Sequence, residues 1–299
     1  MLKLKRKFGD RYDGYRVKNV DPFFFLIPHV MKKRVDSQVF FEEELDITEL
    51  EKFIRQHGET DVPGLKMYHL IVAACIRLYS QRPYLNRFCI SGRIYARNNM
   101  RVSMSILRGT GDAAESTMVK PEFELTDTLK DVVDRFNQLV EENRQVTSEN
   151  GTDTVAKVLG RLPAWLTRFA VNTLGFLDRR GLLPKAINNV SPFHTSLFIT
   201  NLGSIGIKPV YHHIYEFGTT SVFIATGKKR TVREIEADGT IVKKRKIDIK
   251  VVADERICDG HYYATSMRML NKILLHPERL LEPPAEVVMD DGIIMKGRT

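Results

Sequence analysis

The chain has 299 residues, 43% of them hydrophobic and 28% charged, an ordinary balance for a soluble globular protein with room for a substantial core. Its net charge of +9 fits either a solvated basic surface or an anionic partner, such as a phosphate-bearing small molecule, nucleic acid or an acidic membrane face. Cys75, Cys89 and Cys258 are odd in number, widely spaced and free of any C-x-x-C, which argues against a disulfide framework or a cysteine zinc site and for a reducing cytoplasm.

Residues 1–22 are charged and turn-rich, and residues 1–34 are expected as an arm on the surface. The opening MLKLKRKFGDRYDG is basic but has no apolar run, so it does not read as a signal peptide. FFFLIPHVM is too short to span a bilayer and holds Pro28. Val39 to Asp46 reads as a strand. Asp46 or Thr48 then caps a helix through Ile47, Leu50, Phe53 and Ile54, which stops at Gly58. Leu65 to Gln81 is too apolar for a surface helix and is placed in the core. RPYLNRFCISGRIYARNNMRVSMSIL reads as turn, strand, turn and strand. Thr126 opens a long amphipathic helix, TDTLKDVVDRFNQLVEENRQ, with Leu129, Val132, Val133, Phe136, Leu139 and Val140 on one stripe.

Leu162 to Leu183 carries the only Trp and ends in Arg179 and Arg180. It reads first as a helix packed between sheet elements. The alternative is an amphipathic stretch resting on a membrane or lining an acyl tunnel; Arg168 and Asn172 make it too polar to span one. Strands follow at HTSLFITNLGSIG and at Thr220 to Thr226, and then a hairpin turning at Asp238-Gly239. No repeat, low-complexity linker or composition break appears, so the expectation is one α/β domain over residues 35–282 with a short tail, 283–299.

The chemistry concentrates in Ile247 to Gly260, IDIKVVADERICDG. Ile247, Ile249, Val251 and Ala253 alternate with their neighbours at the period of a half-buried strand. Asp259-Gly260 makes a turn, and Tyr263, Met267, Leu270, Ile273 and Leu274 restart at helical spacing. Such a strand-turn-helix presents the residues of its turn at a sheet edge.

ERICDG, followed by HYYATSMRMLNKILLHPERLL, resembles the terminal motif of chloramphenicol acetyltransferases and of the catalytic domain of the dihydrolipoyl acyltransferases of 2-oxo-acid dehydrogenase complexes. Those families read H-x-x-x-D-G here. Asp259 and Gly260 match, and Glu255 stands in place of the His. LDITELEKFIRQ, the apolar helix and the hairpin after it resemble the N-terminal half of chloramphenicol acetyltransferase. ITNLGSIG, Ile199 to Gly206, resembles the strand and Gly-turn of the acyltransferase domain. The resemblance spans roughly residues 35 to 280 and implies a single chloramphenicol-acetyltransferase-like domain, a mixed sheet flanked by helices.

It also implies roles. Thr200 falls where a hydroxyl donates to the oxyanion of the tetrahedral intermediate, a donor contributing about a hundred- to a thousand-fold in rate. Asn201 and Gly203 shape its turn. Glu255 falls where a His acts as general base. An ordinary Glu side chain, with a pKa of about 4.3, is a weak base for a thiol, and burial can raise it. Asp259 forms a structural ion pair in those families, with Arg34 the candidate partner here, and Gly260 gives the backbone room to turn. Cys258 reads as a small buried residue. Lys228, Lys229 and Arg230 are candidates for nucleotide phosphates. His261 is the nearest alternative imidazole, ahead of His194, His212 and His213.

The function so implied is coenzyme-A-dependent acyl transfer between coenzyme A and a thiol or hydroxyl acceptor, in a cytoplasmic trimer or a multiple of it with sites at subunit interfaces. Coenzyme A or its acyl form is the substrate. No metal and no lipoyl domain of its own is expected, and the acceptor is a free small molecule or a lipoyl group on another chain. Neither nucleic acid nor a membrane is expected as a partner. The alternative, resting on Glu255, is a non-catalytic binding or assembly protein on the same fold.

Overall fold

The structure, a computed structural model, describes residues 6–108, 115–143, 151–290 and 294–296. Elements follow in chain order as β1 (Gly14–Arg16), α1 (Pro22–Val30), β2 (Gln38–Asp46), α2 (Thr48–His57), α3 (Met67–Gln81), β3 (Arg87–Ile90), β4 (Arg93–Arg97), β5 (Met100–Arg108), β6 (Glu115–Val119) and β7 (Glu122–Phe123). Then come α4 (Leu129–Asn143), α5 (Gly151–Gly160), α6 (Ala164–Arg179), α7 (Lys185–Val190), β8 (Leu197–Asn201), β9 (Val222–Thr226), β10 (Arg230–Ile235), β11 (Ile241–Asp254), α8 (Gly260–Leu275), β12 (Glu286–Val288) and β13 (Ile294–Lys296).

The main sheet runs β10-β11-β9-β8-β5-β6, with β2 also on β11 and β7 on β5. β5, β8 and β9 are mutually parallel, and the other pairings are antiparallel. The mixed sheet expected from the resemblance is therefore present. The hairpin from β10 to β11 turns at Asp238-Gly239, where Gly239 takes φ +85, a conformation that costs glycine little.

Alternation along the strands sorts the two faces. Leu197 and Ile199 of β8, Val222 and Ile224 of β9, and Ile249 and Val251 of β11 pack into the main core with α3, α4 and α8. Phe198, Phe223 and Val252 point to the other face and form a second, small cluster with Ile214. Thr200, two residues beyond Phe198, falls on this second face. The apolar α3 sits in the core as its composition requires, with Leu70, Val72, Ala74 and Cys75 fully buried. Of the long helix expected from Thr126, residues 144 and 145 lie outside the described residues.

Three expectations meet a different arrangement. Within the N-terminal segment, Arg11 and Asp13 are buried and β1 pairs with β4, so residues 11–16 are part of the body rather than an arm over it. In the tail, Val287 is buried and Asp290 pairs with Arg87 at 2.5 Å; residues 291–293 and 297–299 lie outside the described residues. The third concerns α6. Its only buried residue is Asp178, so it is not a helix packed between sheet elements. Charge and turn residues suggested exposure for residues 11–16, but the charges there are spent internally. Arg11 donates to Asp13 and to Asp178, which also bonds His194.

Acid sensitivity is built into the core through His69 on α3. Burial first, and then the charge of Lys66, pull its pKa down to about 4. The unfolded chain takes up this proton near the ordinary value of about 6.5, so the folded state holds fewer protons between the two values. Stability is therefore expected to fall as pH drops from about 6.5 to about 4. Urea midpoints across that range should show the slope, and His69→Gln should flatten it.

Candidate functional site

β8 carries Ile199, Thr200 and Asn201 to its C-terminal end, and the chain then turns through a 3₁₀ segment, Leu202–Ile205, to Gly206 at φ +76. Gly203 cannot be replaced there without movement: a Cβ would lie 2.5 Å from the Gly227 carbonyl oxygen. This close approach stitches the turn to the end of β9. Thr226 Oγ1 donates to the Thr200 carbonyl at 3.4 Å and to Asn201 Oδ1 at 3.3 Å. The Thr200 backbone and the Asn201 side chain are thus fixed. Thr200 itself is half-buried, and its hydroxyl has no partner among the described residues.

A cavity of about 360 Å³ opens beside this turn, lined by Tyr68, Asn201, Gly203, Ser204, Lys228 and Lys229 among others. The two lysines expected to meet phosphates therefore do line a concave space. Lys229 spends its charge on Glu51 at 2.8 Å, and Arg230 bonds Glu44 and Asp248. Lys228 alone of the three is exposed with no ion pair among the described residues.

The ERICDG turn lies at the other end of the sheet. Asp254, the last residue of β11, is fully buried and holds three side chains. Arg256 grips it with both Nε, at 2.8 Å, and Nη2, at 2.7 Å. Ser37 Oγ donates to it at 2.9 Å, and Arg34 Nε lies 3.4 Å away. Burial by itself would raise this carboxyl, but the Arg256 hydrogen bond and the charges of Arg256 and Arg34 hold it below the usual carboxylate range. Arg34 is also a clamp on the backbone. Its Nη1 donates to the carbonyls of Tyr215 at 2.7 Å and Gly218 at 3.1 Å, and its Nη2 to that of Cys89 at 3.2 Å.

This corrects two expectations. Arg34 is an ion-pair anchor of the motif, but its carboxylate is Asp254 and not Asp259. Asp259 instead caps α8, accepting from the Tyr262 N–H at 2.6 Å, while Gly260 begins that helix. Arg256, the residue after Glu255, is taken up by Asp254. Glu255 is half-buried, its N–H donates to the Ser37 carbonyl at 2.8 Å, and its carboxylate has no partner among the described residues. Cys258 is buried, and burial pushes its thiol up to about 12, which leaves it inert as a nucleophile.

The alternative imidazoles scatter. His194 is fully buried between Asp178 and Ser191, and His212 stacks on Phe223 at 4.2 Å. His213 and His261 are exposed. Sequence reasoning missed Asp254. The available signal was an Asp closing the otherwise apolar run VVAD, at a strand position where a charge needs a partner.

Within one subunit Thr200 and Glu255 do not meet. Thr200 is level with Ala225 of β9, and Ala225 with Lys250 of β11. Glu255 lies beyond that row by the length from Lys250 to Glu255, roughly 16 Å along the strand direction at about 3.3 Å per residue. The sheet face that bears Thr200 is covered in part by the loop that carries His212 and Ile214, and is exposed beside it. Phe40 is 56% and Tyr211 40% exposed on it, with their rings 5.4 Å apart. Among the described residues, no group of three or more His, Cys, Asp or Glu is placed to hold a metal ion.

Residues 193–282 match the family model described as 2-oxoacid dehydrogenases acyltransferase (catalytic domain). That segment contains both the Thr200 turn and the Glu255 turn. The fold is similar to that of the dihydrolipoamide acetyltransferase of Azotobacter vinelandii, at 17% identity and TM-score 0.54, covering 89% of this chain and 95% of that one. It is similar to the cubic core of the pyruvate dehydrogenase multienzyme complex, at 15% identity and TM-score 0.50, over 89% and 95% of the two chains. It is also similar to a chloramphenicol acetyltransferase, at 9% identity and TM-score 0.51, over 86% and 99%. The chain has a chloramphenicol-acetyltransferase-like fold. A search of curated protein sequences finds no match.

Proposed function

We propose that the protein is a coenzyme-A-dependent acyltransferase whose active site is shared between two subunits, Thr200 from one and Glu255 from the next. The observation that carries this reading is the separation of the two side chains within one subunit, together with their availability. Each ends in a polar group with no partner among the described residues, and Thr200 lies on a partly exposed, partly aromatic sheet face. A second copy seated on that face would cover Phe40 and Tyr211 and bring a Glu255 to Thr200. The solved relative that forms a cubic core supports a homo-oligomer; a trimer is the smallest assembly that closes such a head-to-tail contact in the expected family geometry.

In the proposed reaction, the acceptor thiol or hydroxyl gives its proton to the Glu255 carboxylate as its sulfur or oxygen attacks the acyl carbonyl carbon of acyl-coenzyme A. The Thr200 hydroxyl donates a hydrogen bond to the oxyanion. The intermediate collapses, the bond from carbon to the coenzyme A sulfur breaks, and the departing thiolate recovers the proton. The cavity beside Asn201 and Gly203 would take the coenzyme A arm, with Lys228 as the phosphate contact. The acyltransferase unit proposed spans residues 35–282, with the packed N-terminal and C-terminal segments as its supports.

The test is thiol release from a panel of acyl-coenzyme A donors with dihydrolipoamide as acceptor. Turnover is expected in the wild type. Glu255→Gln should reduce it about a hundred- to ten-thousand-fold, the usual worth of a general base, and Glu255→His should retain it. No turnover in the wild type with turnover in Glu255→His would overturn the proposal and indicate a scaffold that has given up the reaction.

A further inference from the structure

Polar contacts tie the C-terminal end of helix α6 to the body. Asp178 binds Arg11 and His194, and the Arg179 carbonyl accepts from Ser91 Oγ at 3.2 Å. Toward the body it presents Leu166, Ala170, Leu174 and Leu177, which are half-buried. Away from it, Trp165 is 71%, Phe169 65% and Phe176 48% exposed. At about 100° per residue these three rings fall within about 40° of one another on the helix. Arg168 and Arg179 flank them on one side, within about 60° of the nearest ring, and Arg161 lies in the turn just before the helix. All three arginines are exposed, as are Arg180 and Lys185. Between residues 161 and 190 the one acidic residue is Asp178, buried and paired.

The patch does not end with α6. The turn at Ser91-Gly92 joins it to α1: Ser91 contacts the Arg179 carbonyl, and a Cβ on Gly92 would lie 3.0 Å from the His29 ring. On α1, Phe23, Phe25, Leu26 and Val30 are 56–80% exposed. Exposed Arg93, Lys32 and Lys33 continue the basic rim. Asp21 and Asp36 are exposed carboxylates beside α1, so the cations outnumber them across the face; aromatic rings with such an excess of cations are the composition of an interfacial helix facing anionic lipid headgroups. No helix among the described residues is long and apolar enough to cross a membrane.

We propose that this α1–α6 face docks the protein on an anionic lipid bilayer, with Trp165, Phe169 and Phe176 at the level of the headgroup-acyl boundary and the arginines on the phosphates. A second copy of the chain is the competing occupant, and charge disfavours it: a matching acidic patch would have to face five exposed cations of the segment. The expectation of no membrane contact rested on a packed α6, which the structure replaces with an exposed one. The proposal is independent of the acyl-transfer chemistry.

Trp165 is the only tryptophan of the chain and lies on the proposed contact, so the protein carries its own probe. Full-length protein is titrated with vesicles of phosphatidylcholine alone, or of phosphatidylcholine with phosphatidylglycerol. The expected result is a blue shift of Trp emission with the anionic vesicles only, reversed by salt, and quenching by lipids brominated on their acyl chains. Arg161→Glu with Arg168→Glu, whose side chains are exposed, should weaken the partition roughly thirtyfold or more, at about 1 kcal/mol per lost cation. An unshifted emission with anionic vesicles overturns the proposal. So does an equal shift with neutral vesicles, or a blue shift that depends on protein concentration without lipid, which would assign the face to a second copy.

Discussion

Asp254→Ala is expected to destabilise the protein by about 3–5 kcal/mol, the cost of removing one partner of a buried charge cluster. Arg34 is 2% and Arg256 4% exposed, and both would be left buried without their carboxylate. Ser37 Oγ would lose its shortest hydrogen bond and fall back on the Arg34 carbonyl at 3.1 Å. Arg34 ties β3, the loop at Tyr215 to Gly218 and the end of β11 together, so the damage should extend beyond the contact itself. Because the folded carboxyl is held below its usual range, its contribution is present above the unfolded value of about 3.9 and is lost as pH falls through the folded value. Denaturant unfolding at neutral pH checks the magnitude. A midpoint equal to wild type would mean that the cluster does not hold this turn.

Thr200→Ala should lower turnover about a hundred- to a thousand-fold, the range for loss of one oxyanion donor. The side chain is half-buried and without a partner among the described residues, so its removal should leave stability nearly unchanged. The loss should fall on kcat rather than KM, since the hydrogen bond forms to charge that develops in the transition state. Thr200→Ser should restore most of it. Unchanged turnover in Thr200→Ala would remove Thr200 from the reaction.

The elements with strong local signals were legible in the residues. The alternation of Ile247, Ile249, Val251 and Ala253, the apolar block of α3 and the Asp238-Gly239 hairpin all formed where their patterns put them. The partners of charges were less legible. Asp254 and Asp259 are both acidic and lie in one short motif, and only the fold shows that β11 buries the first while α8 exposes the second as its cap. Arg11 lies in a basic, turn-rich stretch where nothing in the sequence marks it as buried, and the resemblance singled out Arg34 as an ion-pair partner but with Asp259 in place of Asp254. For α6, hydrophobicity alone was ambiguous. A Trp and two Phe on a helix suit a core as well as a bilayer, and the outcome depended on whether another layer covered them.

In the proposed enzyme one active site draws on two subunits. This sharing is tested most directly by mixing Thr200→Ala and Glu255→Gln proteins, each inactive alone, after dissociation and reassembly in equal amounts. If Thr200 and Glu255 meet across an interface, random reassembly places an intact pair at about one interface in four, and about a quarter of wild-type turnover should return. Turnover that stays at the level of the two variants would place both groups within one subunit, or outside the reaction, and would contradict the shared site.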